Sequence, residues 1–360
     1  MSIEERIGRL VRPEVQQLKA YGVADPGDLI KLDAMENPYR WPEDLRREWA
    51  EQLAGVDVNR YPDAVARDLR PMMRDYMGVP KTMDLMLGNG SDELIQMVLL
   101  AMAKPGAKVL SPVPGFVMYD LTARFTGMEF IGVPLRSDDF SLDQAAMIGA
   151  IRQHDPAVIF LAYPNNPTGN LFDRTAIAEI LEAASGLVVL DEAYHAFAGR
   201  SYMSELERHD NLLVMRTVSK LGLAGLRLGL LAGDRRWLAE LDKVRLPYNI
   251  NSLTQVSARF VLSHQSILAD QTGKILAERK RLVGQLEVLE GIQTWPSHAN
   301  FILFRTMARP AIEVFDGLKQ AGILIKNLHG SHPLLHDCLR VTVGQPQEND
   351  AFLAALARLL

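Results

Sequence analysis

Residues 158–169 read VIFLAYPNNPTG, five apolar residues followed at once by a polar turn that ends in glycine. The apolar run lacks polar alternation, which is typical of a strand buried on both faces of its sheet. Other runs of the same kind occur along the chain, and the segments between them have helical patterns. These runs are Lys108–Leu110, Leu187–Leu190, Leu212–Arg216 and Leu228–Ala232. Buried strands that alternate with helices predict an α/β fold with a mostly parallel sheet sandwiched by helices.

Several of these strands run directly into side chains that can do chemistry. Open α/β sheets bind ligands just beyond the carboxyl ends of their strands. We therefore expect the side chains at these ends to face one crevice. They are Asn166, Asp191, Tyr194 and Lys220, in chain order.

The residue types in this crevice suit a cofactor that carries an aldehyde and a pyridine ring. A lysine amine such as Lys220 becomes a nucleophile toward an aldehyde when it is held in a dry site beside other positive charge. A buried carboxylate such as Asp191 keeps a pyridine nitrogen protonated, so that the ring can accept electrons. Tyr194 and Asn166 can donate hydrogen bonds to an oxygen on the ring.

A phosphate on the cofactor would find a place at the start of a helix. The segment GNGSDE at 88–93 leads into a predicted helix over Asp92–Ala103, with Ser91 as its N-cap. Backbone N–H groups at a helix start bind phosphate, and Arg227 would add positive charge. The same segment is a poor dinucleotide-binding motif, because Glu93 stands where the third glycine belongs.

Composition indicates a two-domain enzyme. A chain of 360 residues is too long for one ordinary core, and 48% hydrophobic with 23% charged residues is normal for a globular enzyme. The net charge of −5 gives no basic field for nucleic acid or anionic lipid. The chain has no secretory signal pattern, no apolar stretch long enough to span a membrane, and one cysteine, Cys338, which cannot form an internal disulfide. We expect a cytoplasmic protein that binds neither nucleic acid nor membrane.

The pattern of predicted strands and helices changes after Pro247, and this change predicts a second, α+β domain. A long amphipathic helix near 267–289 leads into strands predicted at 300–304, 323–326 and 339–343 and helices predicted at 311–321 and 349–360. Residues 1–62 are predicted to form an N-terminal arm, with one helix near 42–53, and part of this small domain. Residues 63–265 are predicted to form the large cofactor-binding domain, and residues 266–360 the C-terminal small domain.

Taken in order, these motifs resemble those of the fold-type I pyridoxal-5′-phosphate (PLP) aminotransferases, most closely the histidinol-phosphate aminotransferase family. The resemblance covers nearly the whole chain. It rests on AMENP at 34–38, RYPD at 60–63, GNGSDE at 88–93, PNNPTG at 164–169, DEAY at 191–194, SK at 219–220, AGLR at 224–227 and CLRVTVG at 338–344. It implies a homodimer with shared active sites and a PLP cofactor. It also implies transfer of the amino group from L-histidinol phosphate to 2-oxoglutarate, giving imidazole-acetol phosphate and glutamate in histidine biosynthesis.

The resemblance assigns roles to individual residues. Lys220 binds the aldehyde of PLP and moves the proton during catalysis, Asp191 pairs with the pyridine nitrogen, and Phe116 stacks on the ring. The ring oxygen is held by Tyr194 and Asn166. The phosphate is held by Ser91, Asp92, Ser219 and Arg227, and by Tyr61 of the partner subunit. The substrate is bound by Tyr21, Asn37, Lys326 and Arg340, with Arg340 on its anionic end.

The chain departs from the family pattern at three positions. Arg227 follows Lys220 by seven residues, one fewer than is usual, so its phosphate role requires the shortened loop to aim it correctly. Lys326 stands where the family often has arginine, which keeps the charge but loses the bidentate fork. Phe116 replaces the commoner tyrosine and keeps only the stacking face.

Other functions share some of these signals. A PLP lyase that resembles threonine-phosphate decarboxylase would use the same cofactor residues, and an aromatic amino acid aminotransferase is a further alternative. A PLP-binding regulator would carry a DNA-binding module before this fold, and no basic helix pair precedes Tyr61. His329, His332 and His336 look like a metal cluster, but Pro333 interrupts the helix that would align them, and we predict no metal site.

Overall fold

The computed structural model describes residues 1–20 and 22–360 as an α/β protein with three sheets. Its strands are β1 (Ile30–Lys31), β2 (Asp84–Gly88), β3 (Lys108–Val113), β4 (Glu129–Pro134), β5 (Val158–Ala162), β6 (Leu187–Asp191), β7 (Leu212–Thr217), β8 (Gly229–Gly233), β9 (Ile292–Thr294), β10 (Phe301–Thr306), β11 (Ile323–Leu324), β12 (Lys326–Asn327) and β13 (Cys338–Thr342). Its α-helices are α1 (Ile3–Leu10), α2 (Pro13–Gln16), α3 (Glu43–Ala54), α4 (Leu69–Met77), α5 (Ser91–Met102), α6 (Met118–Thr126), α7 (Gln144–His154), α8 (Arg174–Ala183), α9 (His195–Ala198), α10 (Arg235–Asp242), α11 (Ser252–Ser263), α12 (Gln265–Glu287), α13 (Ala311–Gln320) and α14 (Pro346–Leu359).

The large sheet has seven strands in the order β2-β8-β7-β6-β5-β3-β4. The strands from β7 to β4 pair in parallel, and only β8 runs antiparallel to its neighbours β7 and β2. The predicted mostly parallel sheet is therefore confirmed, and all five predicted strands are present. Because parallel strands end at the same edge, the residues that follow β5, β6 and β7 are brought together there.

Both faces of the large sheet are covered, and alternate side chains of each strand enter different cores. On β5, Ile159 and Leu161 belong to one core, whereas Val158 and Phe160 belong to the other. All four side chains are fully buried. An apolar side chain of this size contributes about 1.5–3 kcal/mol when it is buried, which is the physical reason for a strand with no polar alternation.

The C-terminal part of the chain forms two small sheets. β12, β13, β10 and β9 lie side by side in an antiparallel sheet, and β1 from the N-terminal arm pairs in parallel with β11. The arm therefore contributes one strand to this part of the fold. The single strand predicted at 323–326 is wrong, because the chain changes sheets at Ile325 between β11 and β12. The domain boundaries near 62 and 265 remain predictions.

The N-terminal arm contains two short helices, α1 and α2, where the sequence analysis predicts none before residue 42. The start of α1 is fixed by a capping box, in which the Ser2 hydroxyl accepts from Glu5 N–H and the Glu5 carboxylate accepts from Ser2 N–H. This S-x-x-E pattern was available in the sequence.

None of the helices in the described residues has both the length and the apolar composition needed to cross a membrane.

Candidate active site

A cleft of about 240 Å³ lies at the carboxyl ends of β5, β6 and β7. It is lined by most of the residues that the sequence analysis assigns to the cofactor. These are Ser91, Asp92, Phe116, Asn166, Asp191, Tyr194, Ser219, Lys220 and Arg227. The cleft also includes three residues of the N-terminal arm, Ala34, Met35 and Glu36, so the arm closes one side of it.

Lys220 lies in a short 3-10 turn, Ser219–Leu221, that follows β7. Its Nζ donates a hydrogen bond of 3.3 Å to the carbonyl oxygen of Ala34. Burial, and then the positive charge of Arg340, lowers the pKa of the Lys220 amine to about 8. A larger fraction of this amine is therefore neutral near physiological pH than for an exposed lysine, and the neutral amine is the form that attacks an aldehyde.

Asp191 is the last residue of β6, and its carboxylate is buried beneath the cleft. It accepts hydrogen bonds from the Tyr119 hydroxyl at 2.7 Å and from the Ala193 N–H at 3.1 Å. Burial raises the pKa of Asp191 to about 6, and both hydrogen bonds oppose this rise because they favour the ionised form. Tyr119 is a site residue that the sequence analysis missed.

A buried ion pair holds the ends of β6 and β7 together. Glu192, the residue after Asp191, has its Oε2 2.7 Å from Nη2 of Arg216, and both side chains are buried. Arg216 also donates to the carbonyl oxygen of Met77 at 2.7 Å. Loss of either partner would leave a buried charge without its counter-ion, so this pair fixes the strand ends that carry Asp191 and Lys220.

Asn166 and Arg340 connect the large sheet to the small one across the cleft. Nη1 of Arg340 donates to Oδ1 of Asn166, and Nη2 donates to the carbonyl oxygen of Asp33 at 3.0 Å. The guanidinium also lies over the ring of Phe301, 5.1 Å from its centroid. Arg340 is buried, and its charge opposes the rise that burial causes in the pKa of Tyr194. This position beside the cleft suits an arginine that meets an anion.

The start of α5 has backbone N–H groups that could bind an anion, but its N-cap residue differs from the prediction. The N-cap residue is Gly90 and not Ser91, and no side chain caps the helix. Gly90 has φ +86°, and a Cβ there would lie 2.6 Å from Nη2 of Arg227. A Cβ on Gly229 would lie 3.0 Å from the backbone N of Ser91. The two glycines therefore keep the first N–H groups of the helix accessible, and such groups bind phosphate.

Arg227 reaches this helix start in spite of the shortened loop. Two 3-10 turns, Ser219–Leu221 and Ala224–Leu226, fill the space between Lys220 and Arg227. Arg227 itself adopts the left-handed conformation with φ +48°, which turns its side chain back to the cleft. Its Nη2 lies 3.2 Å from Oδ2 of Asp92.

Besides Arg340, which lies beside the cleft, three more of the predicted residues do not line it in this chain. Tyr61 is 81% exposed, and its ring stacks on Tyr248 with 4.5 Å between centroids. Asn37 donates from Nδ2 to Oε1 of Gln271 at 3.0 Å. Lys326 is exposed, although it is the direct cross-strand partner of Arg340. Tyr21 lies outside the described residues.

His329, His336 and Asp337 lie close together after β12, with ligand atoms within 4.8 Å of one another. Nδ1 of His329 accepts the N–H of Asp337 at 3.0 Å, and Oδ1 of Asp337 accepts the N–H of Ala311 at the start of α13. These contacts hold the turn before β13 against α13. The third predicted histidine, His332, accepts the N–H of Leu334 within its own 3-10 turn.

The donor set of the cleft fits PLP. Lys220 would provide an amine for the aldehyde and Asp191 a carboxylate for the pyridine nitrogen, while the start of α5, which no side chain caps, would hold the phosphate. Bound there, PLP supplies an aldehyde for the amine of a substrate and a ring that accepts electrons. The fold and this cleft are those of the fold-type I PLP-dependent enzymes.

Comparison with known proteins places the chain more narrowly. Residues 27–356 match the family described as aminotransferase class I and II, and the chain belongs to that family of PLP-dependent transaminases. It is 56% identical to histidinol-phosphate aminotransferase 2 of Nitrosococcus oceani, over 98% of each chain. The histidinol-phosphate aminotransferase of Sinorhizobium meliloti, solved in complex with pyridoxal-5′-phosphate, has the same fold, with a TM-score of 0.85, 24% identity and 97% of each chain covered. L-threonine-O-3-phosphate decarboxylase of Porphyromonas gingivalis also has this fold, with a TM-score of 0.76 and 23% identity, and the match covers 91% of this chain and 98% of the decarboxylase chain.

Proposed function

We propose that this aminotransferase moves the amino group of L-histidinol phosphate to 2-oxoglutarate, giving imidazole-acetol phosphate and glutamate, as a cytoplasmic enzyme of histidine biosynthesis. The observation that carries the proposal is the identity of more than half of the residues, over nearly the whole of both chains, with the Nitrosococcus oceani enzyme of that name. The likeness to the decarboxylase is one of fold alone.

The charges around the cleft support this pair of substrates. Histidinol phosphate brings a phosphate and 2-oxoglutarate a second carboxylate, so one pocket must accept either anion. Arg340 lies beside the cleft, and Lys326 is paired with it across β12 and β13. Glu36 lines the arm side of the cleft, where its Oε2 accepts from Nζ of Lys31 at 2.6 Å.

The site residues take the following roles in this proposal. Lys220 holds the cofactor and moves the proton at the substrate carbon, and Asp191 keeps the pyridine nitrogen protonated. Phe116 stacks on the ring, while Asn166 and Tyr194 donate to its oxygen. The phosphate of PLP is held by Ser91, Asp92, Ser219, Arg227 and a partner's Tyr61. The substrate is held by Arg340, Lys326, Tyr21 and Asn37.

A panel of amino donors with 2-oxoglutarate tests the choice of substrate. We expect histidinol phosphate to give glutamate with a kcat/KM at least about tenfold above phenylalanine, tyrosine and aspartate, because a phosphate dianion gains more from two cations, Arg340 and Lys326, than a singly charged carboxylate does. Carbon dioxide release from threonine phosphate, without reaction of histidinol phosphate, would establish a decarboxylase instead. A preference for phenylalanine or tyrosine would establish an aromatic amino acid aminotransferase.

We propose a homodimer in which Tyr61 completes the site of the other subunit. Tyr61 is exposed and does not line the cleft of its own chain, so its side chain is accessible to a second copy. We expect Tyr61→Phe to retain PLP less well, because the hydroxyl that reaches the phosphate is lost.

When inactive Tyr61→Ala and Lys220→Ala proteins exchange subunits, one site of each mixed dimer carries both defects and the other carries neither. Recovery should approach about a quarter of wild-type activity.

The matched control mixes Asp191→Ala with Lys220→Ala. Both residues belong to the same cleft, so each site of a mixed dimer keeps one defect and the mixture should stay inactive. A monomer that is fully active in sedimentation analysis, or a lack of recovery in the first mixture despite subunit exchange, would refute the shared site.

A further inference from the structure

Tyr119 lies under the cleft in the first turn of α6 and takes no part in lining it. The residue is 1% exposed, and its ring stacks on Phe160 of β5 with 4.6 Å between centroids and 6° between planes. That stack directs the hydroxyl at Oδ2 of Asp191, 2.7 Å away. The rigid packing of the ring therefore fixes the direction of one hydrogen bond to the buried carboxylate.

The same ring also contacts Phe116, a second residue that lines the cleft. Its centroid is 5.5 Å from that of Phe116, and the two rings meet edge to face at 85°. Edge-to-face contacts of this kind stabilise a pair of rings by about 0.5–1.5 kcal/mol beyond the area they bury. Tyr119 thus contacts both the residue proposed to pair with the cofactor nitrogen and the residue proposed to stack on the ring.

We propose that Tyr119 is a positioning residue that keeps Asp191 ionised and aimed at the pyridine nitrogen of PLP. A carboxylate and a pyridine nitrogen share one proton, and a hydroxyl that donates to the carboxylate favours the state in which the nitrogen holds it. The protonated ring accepts electrons better than the neutral ring. The inference rests on the proposed role of Asp191 and does not depend on which amino donor reacts.

The surroundings of Asp191 explain why this donor is needed. Burial, and then the negative charges of Asp92 and Glu192, favour the neutral acid, whereas the Tyr119 hydroxyl and the Ala193 N–H favour the anion. Burial and the nearby Asp191 also raise the pKa of Tyr119 well above its ordinary value, so the hydroxyl keeps its proton at neutral pH. Tyr119 can therefore donate to Asp191 at neutral pH.

The test compares wild-type enzyme with Tyr119→Phe, each loaded with PLP labelled with ¹⁵N in the ring. Phenylalanine keeps the stack on Phe160 and removes only the hydroxyl. We expect the ring ¹⁵N resonance to move toward the position of unprotonated pyridine and the affinity of the apoprotein for PLP to fall. We also expect kcat to fall about tenfold to a hundredfold, with the donor KM nearly unchanged, because a hydrogen bond to a charged group is lost.

Two further variants make the outcomes distinguishable. Tyr202→Phe removes a buried hydroxyl that has no hydrogen-bond partner within the described part of the chain, and it should leave the ¹⁵N resonance and kcat as in wild type. Asp191→Asn should move the resonance strongly, and adding Tyr119→Phe to it should cause no further change, since Tyr119 acts through the carboxylate. A resonance that moves in Asp191→Asn but not in Tyr119→Phe would overturn the role of Tyr119. A resonance unmoved in both would overturn the pairing of Asp191 as well.

Discussion

Replacement of Lys220 with alanine is expected to slow transamination by at least about a thousandfold while PLP stays bound without a covalent link. In the proposed mechanism the variant loses both the amine that would bind the aldehyde and the group that would move the proton at the substrate carbon. Binding should persist because the residues proposed to hold the phosphate, at the start of α5 and at Arg227, do not include Lys220. The measurements are single-turnover rates with histidinol phosphate and the visible absorbance of the dialysed protein.

Lys243→Ala is the matched control for this prediction. Lys243 is exposed and pairs with Glu240 on the surface of α10, so its loss should leave the rate within about twofold of wild type. Thermal unfolding of both variants shows whether the fold is kept. A Lys220→Ala protein that folds and retains a tenth of the wild-type rate would show that another residue moves the proton.

Arg340→Gln is expected to slow both half-reactions by roughly tenfold to a few hundredfold in kcat/KM. Hydrogen bonds to a charged group contribute about 1.5–3 kcal/mol each, and glutamine cannot provide the bidentate fork. The structure places the guanidinium against Asn166 and the carbonyl of Asp33, beside the cleft. Single-turnover rates with histidinol phosphate and, in the reverse direction, with 2-oxoglutarate measure the effect on each anion.

Lys326→Gln tests the second cation of the proposed anion pocket, and Arg305→Gln is the control variant. We expect Lys326→Gln to slow the reaction of histidinol phosphate more than that of 2-oxoglutarate, since a phosphate dianion gains most from a second cation. Arg305 lies on β10 of the same sheet, but its guanidinium packs over Trp295, so its replacement should leave both rates within about twofold. If Arg340→Gln slowed neither half-reaction, Arg340 would be a structural arginine.

The sequence was informative wherever a residue's role depends on its own segment. β5 and β6 are almost entirely apolar because both faces of the sheet are buried. The predicted site residues lie at or just after the ends of these strands. The boundaries of β5 were predicted to the residue, and β6 to within one residue, Asp191. Since parallel strands end at one edge, the gathering of Asn166, Asp191 and Lys220 followed from the strand pattern alone.

The sequence was least informative where a residue acts through a distant contact. Tyr119 meets Asp191 across 72 positions of the chain, and no local pattern marks it except its place one helical turn after Phe116. The cap of α5 was misassigned because serine is a good N-cap in general. The chain uses Gly90 there, since only glycine tolerates both φ +86° and the approach of Arg227. The switch of sheets at Ile325 depends on pairing with the distant arm, which the apolar pattern does not record.

Borohydride reduction of the PLP-loaded enzyme, followed by peptide mapping, tests most directly the claim that this cleft works through Lys220. The account predicts one reduced cofactor per chain, attached to Nζ of Lys220, and no adduct in Lys220→Ala treated in the same way. An adduct on any other lysine of the wild-type chain would contradict it.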